Sequence, residues 1–412
     1  MNYEFFIAKR IISSKAYKSS VSAPIIKIGI TAITIGIIVM LIAIATGLGL
    51  QQKVRDKVVA FNGHVTISNY DSNVSDESQV PISTDQEFYP NFTSVSGVKH
   101  IQAVAKKFGV VRTETDFEGI VLKGVGADYD WSFMKEFLVE GQLPNYNEAI
   151  SNDVLISSYL SNRLQLQLGD SFQTVFGKND INKLPNIINY TIVGIYNSGF
   201  TEFDQTFVIG DIKHLQRINK WEANQVGNFE VFIDNFSELQ QKGVEIYEAI
   251  PSTLNAETVE QKFASIFEWI RIFDNNTYGI IGIMIIVAGI NMITALLVLI
   301  LERTQMIGIL KALGSSNWSI RKVFLYNATY LVGLGLFWGN LIGLGLIAIQ
   351  HYFGVLQFPN PEDYYMTIIP VHIGLGHILM LNLGTFIACM LLLLVPSYII
   401  TKIAPVKAIR FE

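Results

Sequence analysis

Asp71, Asn73 and Ser75 alternate as the first ligands of a calcium loop would. Asp76, however, stands where the sharp turn needs glycine, and Ile82 where a bidentate glutamate would close the shell, so no calcium site is assigned. His372 and His377 are five residues apart, off the spacing that puts two ligands on one helix face, and read as interfacial or packed residues. Asp128 and Asp130 flank Tyr129 and read as solvated loop charges. The sequence holds no G-x-x-x-x-G-K-[ST] to cradle nucleotide phosphates, no H-E-x-x-H, no paired C-x-x-C and no G-x-S-x-G elbow. No residue is therefore assigned to catalysis, to a cofactor or to a metal. The single cysteine, Cys389, can form no internal disulfide, and a net charge of -5 gives no basic surplus for a nucleic-acid partner.

One short segment stands out by pattern. In Glu302-Arg303-Thr304-Gln305-Met306-Ile307-Gly308-Ile309-Leu310-Lys311-Ala312-Leu313-Gly314 the charges come first. Met306, Ile307, Leu310 and Leu313 then recur at i, i+1, i+4 and i+7, so a short helix would show one apolar edge, and Gly314 can end it in left-handed geometry. A partner could grip that edge. Equally, the segment could be a capped continuation of the helix before it, its charges marking a membrane boundary.

The elements that must position this segment follow from hydropathy. Half of the 412 residues are apolar and 16% are charged. The apolar residues cluster into four uncharged runs, each long enough at about 1.5 Å per residue to cross about 30 Å of hydrocarbon. These spans are TM1 (28–50), TM2 (275–301), TM3 (323–350) and TM4 (373–400). TM1 exceeds the apolar core of a signal peptide, and no A-x-A-like cleavage site follows it. Residues 1–27 hold Lys9, Arg10, Lys15, Lys18 and Lys27 against Glu4 alone. The 302–322 loop is basic apart from Glu302, and the 401–412 tail adds Lys402, Lys407 and Arg410. The 351–372 loop, with Glu362 and Asp363, has no lysine or arginine. Positive charge inside then places both termini and the 302–322 loop in the cytoplasm, although Lys53, Arg55 and Lys57 pull the other way. The expected fold is thus a membrane α-helical protein, N-in and C-in, with a large extracytoplasmic domain between TM1 and TM2.

That domain, 51–274, carries 18 basic and 30 acidic residues, a net charge of -12, against +7 for the rest of the chain. It alternates strand-like and helical patterns, which predicts an α+β fold. Strands are expected at His64–Ile67, Gly119–Val125, Asn189–Tyr196 and Phe229–Ile233, and helices at Ser157–Leu168 and Asp211–Asn219; 69–86 reads as a loop. Phe263, Ile266, Phe267 and Ile270 predict an amphipathic helix leading into TM2, packed on its own domain or lying at the membrane surface. In TM3, Gly335, Gly339 and Gly343 share one face and let another helix approach closely, either TM2 or TM4 of the same chain or a second subunit. Asn291 in TM2 and Asn382 in TM4 should face protein or a cavity.

The 302–314 run, followed by Ile320 and Phe324, resembles the coupling segment of FtsX-like ABC transporter permeases of the MacB superfamily. Phe6-Ile7-Ala8-Lys9-Arg10, Ser22-Ala23-Pro24-Ile25-Ile26, Gly47-Leu48-Gly49 and Phe61-Asn62-Gly63-His64-Val65-Thr66-Ile67 are similar to the lipoprotein-releasing LolC/LolE branch. So are Leu168-Gly169-Asp170, Val193-Gly194-Ile195-Tyr196, Pro370-Val371 and Pro405-Val406-Lys407-Ala408-Ile409-Arg410. The resemblance implies a permease without its own ATPase that pairs with a second permease, identical or paralogous, and recruits a cytoplasmic ABC ATPase dimer. ATP and Mg would be bound by that ATPase. Glu302, Arg303, Met306, Ile307, Gly308, Leu310, Lys311 and Gly314 would form the docking and coupling surface. Ile33, Ile37, Met284 and Val287 are candidates to contact acyl chains in a cavity lined by TM1 and TM2. The implied cargo is a lipoprotein, taken from the outer leaflet of the bacterial inner membrane and passed to a periplasmic carrier. In relatives a hairpin hooks the carrier; here the equivalent 177–189 stretch is rather polar, with Lys178, Asp180 and Lys183. Two other family activities fit the same topology: export of drugs or peptides as by MacB-like proteins, and FtsX-like transmission of a signal to an outer hydrolase.

Overall fold

The computed structural model describes residues 3–13, 23–71, 79–113, 116–147, 149–177, 184–359 and 366–404. Part of the 69–86 loop, Lys178 to Lys183 of the expected hook, Glu362 and Asp363, and the tail from 405 lie outside the described residues. The chain divides into a helical unit (Met1–Gln52, Trp269–Gln357 and Ile368–Glu412) and an α+β unit (Lys53–Glu268 with Phe358–Thr367).

Helices in chain order are α1 (Tyr3–Ser13), α2 (Ala23–Asn62), α3 (Ser132–Phe137), α4 (Ser158–Leu164), α5 (Thr201–Thr206), α6 (Ile212–Asn219) and α7 (Leu239–Ala249). There follow α8 (Val259–Lys262), α9 (Ala264–Glu302), α10 (Thr304–Ala312), α11 (Asn317–Phe353), α12 (Leu375–Ser397) and α13 (Ile399–Lys402). Three uncharged runs fall within α2, α9 and α11, and the fourth enters the α12–α13 stretch at Leu375, two residues after its expected start; all four stretches are long and apolar enough to cross a membrane. In lipid a helix satisfies its own backbone, which is why such runs fold this way. Pro396, with no N–H to donate, sits in the last turn of α12 just before the short α13.

The glycine stripe of α11 packs against α2. A Cβ would stand 2.7 Å from Ile33 at Gly335, 2.7 Å from Ile37 at Gly339 and 2.9 Å from Leu41 at Gly343. The close approach is therefore within the chain, and its partner is the first long helix where the sequence reading considered the second or the fourth. Asn382 exchanges amide hydrogen bonds with Asn340 of α11, at 2.9 and 2.6 Å. Asn291 instead donates to the Val287 carbonyl of its own helix and is partly exposed, so it contributes no interhelical bond among the described residues. The N-terminal segment contains α1, which lays Ala8 and Ile11 on Val323 of α11. Glu4 of α1 accepts a hydrogen bond from Ser319 at 3.1 Å.

In the α+β unit, twelve strands are described: β1 (Val65–Asn69), β2 (Ile82–Ser83), β3 (Val98–Arg112), β4 (Phe117–Val125), β5 (Leu138–Gly141), β6 (Asp153–Ser157), β7 (Ser171–Phe176), β8 (Asn186–Tyr196), β9 (Phe207–Asp211), β10 (Gln225–Val226), β11 (Asn228–Ile233) and β12 (Leu254–Thr258). Ten form one sheet in the order β12-β1-β11-β3-β4-β9-β6-β8-β5, and β7 pairs with both β3 and β8. The path β3-β4-β9-β6-β8-β7 thus returns on itself. Two of its pairings, β4 with β9 and β6 with β8, are parallel, and helices lie in the crossovers between them. Phe263 of the amphipathic pattern stands between α8 and α9 in non-helical geometry, while Ile266, Phe267 and Ile270 lie in the first turns of α9 and are buried, as packing on protein requires. Phe267 stacks on Phe236 with ring centroids 5.9 Å apart. Asp128 is not a solvated loop charge: its Oδ2 accepts from the Ala103 N–H at 2.6 Å and the Tyr89 hydroxyl at 3.1 Å, stitching the loop after β4 to β3.

Candidate functional site

The 302–314 segment is built as a short helix between two long ones. Arg303 leaves helical geometry at φ -100°, ψ 20°, which separates α9 from α10 by one residue. At the other end Gly314 takes φ +90°, a value that favours glycine. The Gly314 N–H donates to the Lys311 carbonyl and the Ser315 N–H to the Leu310 carbonyl, both at 3.0 Å. These paired bonds satisfy orphan carbonyls at the end of α10. Two residues later Ser316 caps α11, its Oγ accepting from the Ser319 N–H at 3.2 Å. Such short joints leave α10 little freedom to move apart from its neighbours.

The structure turns three of the four residues of the expected apolar edge, Met306, Ile307 and Leu310, inward and leaves Leu313 exposed. Ile307 is wholly buried and Gly308 is buried beside it, while Met306 and Leu310 are half-buried against the core formed with Leu299, Ile300, Ile320 and Phe324. Lys311 does not present its ammonium to solvent as a docking charge would. Its Nζ donates to the carbonyls of Ile400 and Ile403 at 2.7 Å and of Thr401 at 3.3 Å, tying α10 to the end of the last helix. What remains outward is Glu302, Gln305, Ile309, Ala312, Leu313 and Gly314. Gln305, Ile309 and Ala312 fall at i, i+4 and i+7, so this is one helix face, and Ile309 and Leu313 are its exposed apolar members. Glu302 and Gly314 are among the residues expected from the sequence, whereas Gln305, Ile309 and Ala312 are not; the same heptad arithmetic generates this face, but only burial of Ile307 selects it. Trp318 in the first turn of α11 is also exposed, with the Arg321 guanidinium 5.2 Å above its ring.

Arg303 is the segment's other notable group. Its Nε and one terminal nitrogen are buried, with no hydrogen-bond partner among the described residues. A guanidinium so placed is costly until a carboxylate or carbonyl meets it.

The four residues proposed to touch acyl chains divide. Ile33 and Ile37 have no exposure because they fill the glycine stripe of α11, so they are packing residues in the chain as it stands. Met284 is half-buried against the helical core, and Val287 is exposed. Val287 belongs to an open face of α9 with Ile283, Ile286 and Ile290, a stripe the sequence reading did not isolate because every side of that run is apolar.

Comparison with known proteins places this architecture. Residues 28–266 match the family described as MacB-like periplasmic core domain, and residues 278–405 the FtsX-like permease C-terminal family. The lipoprotein-releasing system transmembrane protein LolC of Haemophilus influenzae is 22% identical over 395 residues, covering 92% of either chain. The transmembrane protein LolE of the same system and organism is 18% identical over 423 residues, 99% of either chain. The macrolide export ATP-binding/permease protein MacB of Marinobacter nauticus is 32% identical over 120 residues, 28% of this chain and 18% of its own length. With the first family running through more than half of the sequence and the second through most of the rest, the chain belongs to the multi-pass ABC transporter permeases that join a MacB-like periplasmic core domain to an FtsX-like C-terminal region.

Proposed function

We propose that the chain is the permease subunit of a transporter that releases lipoproteins from the outer leaflet of the inner membrane to a periplasmic carrier. A separate cytoplasmic ATPase dimer binds ATP and Mg, and a second permease, identical or paralogous, completes the membrane part. Both termini and α10 face the cytoplasm, and the α+β unit lies in the periplasm. The observation that carries the coupling role is the two-sidedness of α10. Gln305, Ile309, Ala312 and Leu313 are outward, while Ile307 and Lys311 lock the opposite side to the helical core and to the chain end. A push on that outward face is carried into α9 through Arg303 and into α11 through the Gly314 turn. End-to-end similarity to LolC and LolE supports the lipoprotein cargo.

The test is purification of the tagged chain from its own membranes, with mass spectrometry of what accompanies it. An ABC ATPase should be present, and depletion of the chain should leave outer-membrane lipoproteins in the inner membrane. Absence of any ATPase would end the transporter reading. A second reading, export of small molecules or peptides, is favoured by the local 32% identity to a macrolide exporter. Normal lipoprotein sorting together with raised drug sensitivity in the depleted strain would select it.

A further inference from the structure

Two hollows adjoin α4 in the α+β unit, one of about 700 Å³ and one of about 430 Å³, and Ser158 and Asn162 stand in the walls of both. Each volume falls in the range of small-molecule sites. The backbone around them is held in place. The Leu166 N–H donates to the Ser161 carbonyl at 2.9 Å and the Ser161 hydroxyl to the Leu166 carbonyl at 2.7 Å, closing the left-handed turn at Gln165. On the other side the buried Asp204 accepts from the Ser198 hydroxyl at 2.6 Å and the Gly199 N–H at 3.0 Å, which fixes the loop before α5. Groups carried on such a frame lose little freedom when they bind.

The groups are amides and hydroxyls. Asn162, Gln165, Gln167 and Gln205 line the hollows, are exposed, and make no side-chain hydrogen bond among the described residues. An amide offers a donor and an acceptor side by side, the pair that a sugar hydroxyl or an acetamido group answers. Among the described residues no lysine or arginine lines either hollow, and Arg163, the one cation of α4, turns to Asp116 and Glu118 at 3.8 and 3.5 Å. With Glu140 and Asp204 in the walls and no counter-charge, a phosphate or carboxylate ligand is disfavoured. Two apolar features complete the lining. In the larger hollow the exposed Val139 and Leu168 share the wall with Gln165 and Gln167. In the smaller, the ring of Tyr159 is exposed, and its electron-rich face attracts the C–H edge of a pyranose.

We propose that the two hollows bind an oligosaccharide of N-acetylated pyranose sugars that passes over α4. One ring stacks on Tyr159, Asn162 bridges to the next, and an acetamido group sets its methyl on Val139 and Leu168 and its amide on Gln165 or Gln167. The site goes beyond the release reading and takes from it only the placement of the α+β unit outside the cytoplasm.

The test uses the full chain in nanodiscs and a chitotriose, the trimer of N-acetylglucosamine, carrying a benzophenone at its reducing end. Irradiation and peptide mapping should mark the 158–168 and 197–205 stretches. Free chitotriose should displace the label at a concentration about tenfold lower than cellotriose, the counterpart without acetamido groups, through the hydrogen bond and methyl burial that only the former gains. Tyr159→Ala and Asn162→Ala should each weaken labelling about fivefold or more, the effect of one lost contact of this kind. Leu168→Ala should remove the preference for chitotriose and leave displacement by cellotriose unchanged, a selectivity that a merely structural role would not move. Tyr247→Ala, a similarly exposed tyrosine of α7, should label as the parent does. Equal displacement by the two trimers, label confined to other stretches, or full labelling of the folded Tyr159→Ala and Asn162→Ala chains overturns the proposal. If either of those variants fails to fold, Leu168→Ala decides: loss of the preference supports the site, and a kept preference overturns it. Displacement by solubilised wall glycan strands assigns a polymer as the occupant, and displacement by chitotriose but not by strands assigns a soluble sugar. No ATPase, carrier or lipoprotein takes part, so this test can fail while the release reading stands and pass where that reading falls.

Discussion

Lys123 Nζ and Glu230 Oε2 are 2.8 Å apart with both side chains wholly buried, and the same ammonium donates to the carbonyl of Phe61 at 2.8 Å. Phe61 is in the last turn of α2, so a buried charge pair on β4 and β11 holds the end of the first long helix. Gln102 also donates to Glu230 Oε2, while Oε1 has no partner among the described residues. Burial pulls the lysine down to about 8 despite the attraction of Glu230, so the pair costs desolvation as well as gaining attraction. Lys123→Met leaves a carboxylate stranded in the core and should destabilise the α+β unit by about 3–5 kcal/mol. The double variant with Glu230→Gln should recover a large part of that loss. Thermal unfolding of the detergent-solubilised chains measures both.

Gly339 and Ile37 fix the approach of α11 to α2, because a methyl at Gly339 would meet Ile37 at 2.7 Å and the Thr34 carbonyl at 3.1 Å. Neither neighbour is the free end of a flexible side chain. Gly339→Ala should therefore cost about 1–3 kcal/mol by overpacking, and Ile37→Ala in the same chain should restore part of it. The readout is resistance to unfolding in nanodiscs. Additive losses in the pair would show that the two residues do not share one contact.

The four long helices were legible because each uncharged run is long enough to cross the hydrocarbon and, in lipid, such a run satisfies its own backbone as a helix. Strands β1, β4, β8 and β11 were legible from β-branched and aromatic runs between turns. The longest strand, Val98–Arg112, was not expected, because Lys106 and Lys107 interrupt its apolar pattern. Both are buried, and Lys106 donates to Asn62 at 3.0 Å, a pairing across 44 residues that no local pattern announces. The helix expected to Leu168 stops at Leu164, where Gln165 turns left-handed at φ 55°. At the candidate site, periodicity marked one apolar edge of the segment, of which the structure covers Ile307 and half-covers Met306 and Leu310 while leaving Leu313 exposed. A heptad pattern defines two faces, and only the neighbours Leu299, Phe324 and Ile400 determine which is covered.

His64 gives the α+β unit a pH dependence. Its Nδ1 accepts the Ile233 N–H at 3.3 Å, and burial, with Lys99 adding to it, pulls the imidazole from 6.5 to about 4. Between pH 6.5 and 4 the unfolded chain binds a proton that the folded chain refuses. The stabilisation is thus complete above 6.5 and is lost as pH falls through that window, a change of about 3 kcal/mol. His64→Asn keeps an acceptor that does not titrate, and its unfolding midpoint should vary less with pH over the same range. An unchanged profile would assign the dependence to other groups.

The outward and inward faces of α10 predict opposite phenotypes. Ile309 and Leu313 are exposed and touch little of their own chain, so Ile309→Glu and Leu313→Glu should leave unfolding within about 0.5 kcal/mol of the parent. On the proposed reading they break an apolar contact with the ATPase, and copurified ATPase should fall about tenfold or more, as loss of an interface anchor does. Ile307→Ala empties a wholly buried position and should cost about 2–4 kcal/mol, while ATPase binding by the surviving folded fraction persists. Lys311→Met removes the donor to three carbonyls near the chain end. It should loosen the 399–404 stretch, seen as faster amide exchange there, without abolishing ATPase capture. Were Ile307→Ala to lose the ATPase with its fold intact while Ile309→Glu kept it, the gripping surface would be the side now covered, and α10 would have to turn over to be held.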